Sequence, residues 1–260
     1  MYILFDMSYI IYFKIYAMKA WYRHTKKEWD EDKLSNEPPF LELLHTRTVK
    51  CIDNIIQQHT AESNTTIFMC FDGQHSTQWR RSILPQYKKN RENNPAIYKM
   101  FGILKENILQ HYVNRENIYI IEHEELEADD IIHFCSHNYG KNTNNLIIII
   151  ANDHDYIPLL QYSNISIKNA KGNEMKCNVF PKHALQFKIL MGDKSDNIPP
   201  VASRIGSKTA LKFIENPNLL KDKLKNDKQF AINYDRNKQI IDNTIIPDIY
   251  FEWLKTHIIM

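Results

Sequence analysis

Three short apolar runs in this chain end in aspartate: Tyr2–Phe5 before Asp6, Ile67–Phe71 before Asp72, and Leu146–Ala151 before Asp153 and Asp155. Unbroken runs of this length, rich in Ile and Phe, are the pattern of strands buried on both faces. Ile118–Glu122 and Ile165–Lys168 predict two further strands, and Met175–Val179 a short one. Between the strands, apolar positions recur at helical spacing. The first such segment runs from Ser8 to about Arg23, with Ser8 placed as its cap. The second covers about Leu41–His59, with Leu44, Thr48, Ile52, Ile55 and Ile56 along one side. Ala96–Tyr112 and Glu127–Asn138 follow, and from Pro181 onward the pattern is helical with no strand. Thr25–Pro39 is polar, mixed in charge and ends in Pro-Pro, which predicts a surface loop. Strands separated by helices pair in parallel, so the expected fold is α/β, a mostly parallel twisted sheet flanked by helices. In such a sheet the functional crevice lies beyond the carboxyl ends of the strands.

The three aspartate-tipped runs place their acids at that edge, and the chain supplies more: Glu127, Asp129 and Asp130 in one cluster, Asp193 and Asp196 in another. Each cluster has an ordinary explanation. Acids favour the positive end of a helix dipole, Asp153-His154-Asp155 suits a polar turn after a strand, and Asp193 and Asp196 suit turn and cap positions. Their joint occurrence at strand ends and helix starts is harder to dismiss. Nine carboxylates on one edge repel strongly unless cations sit among them. Oxygen-only ligands suit Mg²⁺ or Mn²⁺, whereas zinc prefers His and Cys. His133 and His137 have helical spacing but belong to an ordinary amphipathic segment.

Composition narrows the class. At 260 residues the chain is long enough for one large domain or two unequal ones. No apolar run approaches the roughly 20 residues needed to span a bilayer, and no export signal opens the sequence. Contact with a membrane is not expected, and a cytoplasmic location is. The four dispersed cysteines, Cys51, Cys70, Cys135 and Cys177, are expected to be reduced. The net charge of +2 conceals a division. With nine acids committed to cations, the rest of the chain is strongly basic, which suits a polyanion held over a metal centre. Within Gln74–Pro95, Arg80, Arg81, Lys88, Lys89 and Arg91 alternate with Trp79 and Tyr87. Basic and aromatic residues together suit phosphate contacts and base stacking; the alternative is a solvated basic face.

These residues form a series of motifs. Asp6 comes first, then Phe71-Asp72-Gly73, Trp79-Arg80-Arg81 and Leu84-Pro85-Gln86-Tyr87-Lys88-Lys89-Asn90-Arg91. Glu127-Ala128-Asp129-Asp130, Asp153-His154-Asp155, Gly192-Asp193-Lys194-Ser195-Asp196-Asn197-Ile198-Pro199 and Ile205-Gly206-Ser207-Lys208-Thr209-Ala210 follow. In this order the chain resembles the flap endonuclease superfamily, and within it the bacterial and bacteriophage 5′-nucleases, including the 5′-nuclease domain of DNA polymerase I and the phage RNase H type enzymes. The resemblance implies a PIN-like α/β nuclease core over residues 1–185 with a helical arch at about 75–110. It also implies a helical DNA-binding region over 186–260 containing a helix–three-turn–helix element at about 186–214. Asp72, Glu127, Asp129 and Asp130, with Asp6 nearby, are implied to surround one metal ion. Asp153, Asp155, Asp193 and Asp196 are implied to surround a second, with Asp153 between the two. Lys88 and Arg91 are implied to face the scissile phosphate. Arg80, Arg81, Tyr87, Lys89, Arg204, Gly206, Ser207, Lys208 and Thr209 are implied to contact nucleic acid. The chain departs from the family's Ile-Pro-Gly-Val and Gly-Ile-Gly pattern at two glycines, where it has Pro200 and Arg204.

The implied activity is phosphodiester hydrolysis with two Mg²⁺ or Mn²⁺ ions near the 5′ end of DNA, at flaps, nicks or free 5′ ends, or on RNA–DNA hybrid strands. A monomer working beside replication proteins is expected. Two other readings remain at this stage. A PIN-type ribonuclease shares the carboxylate-lined sheet but lacks the element over Asp193–Ala210. A non-catalytic structure-specific DNA-binding protein would have a decayed site, whereas all nine carboxylates are present here.

Overall fold

The computed structural model describes residues 1–25, 28–59, 65–91, 94–141, 145–177 and 180–258. Five parallel strands form its sheet: β1 (Tyr2–Asp6), β2 (Thr66–Phe71), β3 (Ile118–Glu122), β4 (Ile147–Ile150) and β5 (Ile165–Lys168), in the order β3-β2-β1-β4-β5. The chain winds outward from β1 to β3, then crosses back to place β4 on the other side of β1. That reversal is the topological switch point at which such sheets open a crevice, and the acids of β1, β2 and β4 border it.

Alternation along each strand sorts the core into two layers. Ile3, Phe5, Ile67, Met69, Phe71, Ile148 and Ile150 face α1 (Met7–His24), α3 (Pro38–His59) and α5 (Pro95–Tyr112). Leu4, Phe68, Cys70, Ile147 and Ile149 face α6 (Ala128–Cys135), a 3₁₀ helix (His154–Gln161) and the last helix, α11 (Asp248–Ile258). Each fully buried side chain of this kind contributes about 1.5–3 kcal/mol, so both faces of the sheet are closed by apolar packing. A third cluster, separate from the sheet, joins α7 (Pro181–Met191), α8 (Ser207–Glu215), α9 (Pro217–Asn226) and α10 (Lys228–Ile241) through Leu190, Val201, Ala210, Phe213, Ile214, Leu220 and Phe230. Helices α7 and α8, with the turns between them, occupy the place expected for the helix–three-turn–helix element. The chain then returns, and Ile246, Tyr250, Leu254 and Ile258 seat α11 beside α6.

Several local expectations change. Ser8 does not cap α1: Asp6 does, its carboxylate accepting from the Tyr9 amide at 2.9 Å, while the Ser8 hydroxyl is buried without a partner. The strand therefore passes straight into the helix, and the cap residue is itself one of the site acids. The Thr25–Pro39 loop contains a short helix, α2 (Glu31–Leu34), and Pro38-Pro39 opens α3 instead of closing a loop. Trp29 explains why: it packs edge-on against Tyr22 and Phe40, and Leu34 is buried. Proline suits the first helical turn because its missing N–H is unpaired there anyway. The short strand at Met175–Val179 is reduced to one antiparallel bridge, Lys168 to Glu174, and a Met175 amide bond to the Ile167 carbonyl; residues 178 and 179 lie outside the described residues. Helix α6 passes after Cys135 into a wider π-helical turn, Ser136–Lys141.

The segment expected as an arch comprises α4 (Gln78–Ile83), turns through Arg91, and α5. Among the described residues it has no free-standing part. Ile97, Met100, Leu104 and Ile108 seat α5 on the α1–α3 layer, and Leu84 and Tyr87 pack with Ile198 and Ile240.

Candidate metal centre

Two groups of acids converge where the switch point opens. Asp129, Asp153 and Asp155 each place an oxygen within 4.8 Å of the others, and so do Asp155, Asp193 and Asp196, so Asp155 belongs to both groups. Backbone geometry sets these positions. Asp153 lies just beyond β4 and caps the 3₁₀ helix by accepting from the Asp155 amide at 3.0 Å. Asp193 and Asp196 sit on a tight turn closed by paired backbone bonds between Asp193 and Ile198. Gly192 enters that turn at φ 68, and a Cβ there would lie 2.4 Å from the Ile198 carbonyl oxygen. Only glycine fits.

Asp6 and Asp72 border the first group. Burial and then Asp72 push the Asp6 carboxyl up to about 7. Asp72 is exposed, and its Oδ1 accepts from the Ala128 amide at the start of α6 at 2.8 Å. The next residue, Gly73, leaves no room for a side chain, since a Cβ would lie 2.0 Å from the His123 carbonyl oxygen. Burial and Asp153 push Asp129 well above the ordinary carboxylate range, and desolvation and Asp155 raise Asp153. Like charges crowded in this way favour either protons or a multivalent cation. The donors are all carboxylate oxygens, which fits a hard divalent ion.

Asp130 does not join this edge, whereas Glu127 borders it, lining a small cavity with Asp129, Asp155 and Asp196, but with its carboxylate turned to cations of the chain. Asp130 is fully buried and holds Arg80 in a two-pronged pair, NH1 to Oδ2 at 3.0 Å and NH2 to Oδ1 at 2.6 Å. Its Oδ2 also accepts from the Glu127 amide, completing a capping box on α6. Glu127 is bound by Lys88 at 2.5 Å, the Tyr87 hydroxyl at 2.9 Å and Arg80 at 3.0 Å. Burial alone would raise its carboxyl, but Lys88 and Arg80 outweigh this and bring it down to about 2. Both expected metal ligands are thus committed to cations of this chain.

The same pairs correct two of the expected nucleic-acid contacts. Arg80 is 1% exposed, and beyond the two acids its donors reach the Ile240 carbonyl at 2.9 Å and the Asn243 amide oxygen at 3.1 Å. No donor is left to face a phosphate. Tyr87 is likewise buried, with its hydroxyl on Glu127. Arg81 is half-buried and bonds the Tyr87 carbonyl; Lys89 is exposed. Lys88 adopts φ 54, rare for a residue with a side chain. Its amide is tied to the Asp196 carbonyl at 2.9 Å, and its ammonium lies between Glu127 and Asp196. Arg91 reaches Asp196 at 2.9 Å with a largely exposed guanidinium. Far along the helical cluster, Arg204, Gly206, Ser207 and Lys208 are exposed at the start of α8 and Thr209 is half-buried. Arg204, standing where the family pattern has glycine, keeps a left-handed φ of 67.

Two residues that sequence reasoning missed complete the centre. The Tyr156 hydroxyl, fully buried, lies between Asp6 and Asp129 and donates to Asp129. Lys188 on α7 binds Asp155 Oδ1 and, at 2.7 Å, Asp193 Oδ2. Burial depresses its ammonium, but Asp155 and Asp193 overcome this and keep it charged. Burial raises Asp193, yet Lys188 and Ser195 bring it down to about 2.

Comparison with known proteins agrees with this architecture. Residues 2–188 match the family model for the 5′-3′ exonuclease N-terminal resolvase-like domain. A 5′-3′ exonuclease of Buchnera aphidicola subsp. Acyrthosiphon pisum is 34% identical over 215 residues, covering 74% of this chain and 70% of that protein. Among solved structures, the T5 D15 protein co-crystallised with metal ions superposes with a TM-score of 0.68 at 17% identity, covering 98% of this chain and 97% of that one. A T5 D15 flap endonuclease pseudo-enzyme–product complex with DNA and metal ions gives 0.66 at the same identity and the same coverage. At such identity these two likenesses establish the fold. The family match over most of the chain, with the carboxylate edge at its switch point, makes this protein a member of the 5′-3′ exonuclease family.

Proposed function

We propose that this chain hydrolyses phosphodiesters near the 5′ end of DNA strands, as a 5′-3′ exonuclease and flap endonuclease, with two divalent cations, Mg²⁺ or Mn²⁺. The observation that carries the reading is the pair of carboxylate groups sharing Asp155 at the switch point. Asp129, Asp153 and Asp155, with Asp6 and Asp72 beside them, would hold one ion, and Asp155, Asp193 and Asp196 the other. When bound, such ions neutralise phosphate charge and make an attacking water more acidic.

The chain's own residues orient the substrate. Arg91 presents an exposed guanidinium beside Asp196, suited to a phosphate oxygen. Lys88, held charged by Glu127 and Asp196, adds positive potential at the same edge. Tyr156 fixes the rotamers of Asp6 and Asp129. Ser207, Lys208 and the backbone at Gly206 would take duplex phosphates without reading bases. Flaps, nicks and RNA–DNA hybrids are the proposed substrates, replication proteins the proposed partners, and a monomer in the cytoplasm the proposed setting. No described helix is long and apolar enough to cross a membrane. Cleavage of a 5′-labelled flap, with and without Mg²⁺, tests the reading; metal-independent cleavage would overturn it.

A further inference from the structure

The two carboxylate groups differ in one respect that their composition does not reveal. Among the described residues, Lys188 touches the first group only through the shared Asp155, and no Lys or Arg nitrogen forms an ion pair with Asp129, Asp153 or the neighbouring Asp6. The second group already holds a cation: Lys188 Nζ bonds Asp155 and lies 2.7 Å from Asp193 Oδ2. Resting on the two-ion reading above, we propose that Lys188 is the resident counter-ion of the second group, and that a divalent ion entering there must displace it. Lys188 therefore sets the affinity of that position and the order in which the two fill.

The argument is electrostatic and geometric. Asp155 and Asp193 are two of the three residues whose oxygens lie within 4.8 Å of one another, so the ammonium occupies the side of the group that a metal ion would use. A divalent ion and an ammonium at that separation repel, and both need the same oxygens. The side chain has somewhere to go. A cavity of about 470 Å³ adjoins it, lined by Lys188 itself, Asp155, Asp193, Leu159, Met191 and Asp242. A flexible four-carbon stem can withdraw along its apolar wall while the ammonium stays hydrated. Arg91 and Lys88, the other cations near Asp196, reach only that third acid of the group, and Asp155 and Asp193 are left to Lys188.

The test is Mn²⁺ binding to the 260-residue chain without DNA, followed by titration calorimetry. Wild type is expected to show a tighter and a weaker class. Lys188→Met keeps the stem and removes the charge, and should tighten the weaker class by at least about tenfold, as expected when a like charge a few ångströms away is removed. Lys188→Arg, which keeps the charge, should leave it weak. A merely structural role would loosen metal binding in Lys188→Met, so unchanged or weaker affinity in that variant overturns the proposal. Should Lys188→Met fail to fold, the wild-type Lys188 ammonium can be followed by ¹H–¹⁵N NMR. Its resonance should shift or vanish as Mg²⁺ saturates the protein, and an unperturbed resonance overturns the proposal. Wild type binding no Mn²⁺ would instead overturn the two-ion reading itself.

Discussion

Arg80 gives the sharpest prediction of stability, because the sequence suggested a nucleic-acid contact and the structure shows a buried strut. Its guanidinium links α4 to Asp130 and the capping Glu127 at the start of α6, and to Ile240 and Asn243 at and just beyond the end of α10. Arg80→Met keeps much of the apolar stem but strands Asp130, which is 0% exposed. Removing one partner of a buried pair costs about 3–5 kcal/mol. Glu127 retains Lys88 and Tyr87, so its share is small and the loss arises at Asp130. For a chain of this size that corresponds to roughly a 6–20 °C fall in melting temperature. Asp130→Asn removes the stranded charge and can still accept at the capping box, so Arg80→Met with Asp130→Asn should be more stable than Arg80→Met alone. Urea unfolding of the two single variants and the double variant at pH 7 measures the coupling. The salt dependence of DNA binding should match wild type in whichever variants remain folded, since no phosphate contact is lost. A loss below about 1 kcal/mol, the range of an exposed pair, accompanied by a flatter salt slope, would refute the buried-strut account and restore Arg80 to the DNA interface.

Three further outcomes follow from the site. Lys88→Ala should lower kcat by roughly 10²–10³, the scale of losing one preorganised electrostatic donor, while affinity for a flap measured in Ca²⁺ changes less than about tenfold; a large affinity loss with normal single-turnover rates would remove Lys88 from the chemistry. Asp6 carries a carboxyl raised to about 7 by burial and Asp72. The metal-free native state thus holds a proton that the unfolded chain releases near pH 4, and its stability should fall as pH rises from about 4 to 7. Saturating Mg²⁺ at pH 8 should raise the melting temperature, and Asp6→Asn should flatten the metal-free pH dependence; melting curves in EDTA with the same slope in both proteins would contradict this. Lys208→Ala should weaken duplex binding and reduce the slope of log affinity against log salt by about one, as for one lost phosphate contact.

The sheet was legible because doubly buried parallel strands leave continuous apolar runs, and Tyr2–Phe5, Ile67–Phe71 and Leu146–Ala151 are such runs. The convergence of Asp153, Asp155, Asp193 and Asp196 was legible because strand ends and turns place acids where the switch point gathers them. What the pattern could not show is partner choice over long separations. Arg80 and Asp130 are fifty residues apart, and nothing local distinguishes an acid that faces the crevice from its neighbour that faces a buried guanidinium. One residue, about 100° around the helix, separates them: Asp129 points to Tyr156, Asp130 to Arg80. Lys188 escaped notice for the same reason, as one lysine on an ordinary helix until α7 packs beside the 3₁₀ helix. The one signal available was its position five residues before Asp193. Thr25–Pro39 misled because its few apolar residues are buried without forming a periodic stripe: Trp29 packs against Tyr22 and Phe40, and Leu34 enters the core.

Asp155 is the residue common to both carboxylate groups, so one substitution there tests the central claim most directly. A 5′-labelled flap is incubated in saturating Mg²⁺ with wild type and with Asp155→Asn, and binding of the same flap is measured in Ca²⁺. The two-ion account predicts cleavage by wild type that EDTA abolishes, and no detectable cleavage by the variant, with flap affinity equal to or tighter than wild type because a negative charge near the phosphate is gone. Cleavage by Asp155→Asn within about tenfold of the wild-type rate, a loss too small for a disabled electrostatic centre, would contradict it.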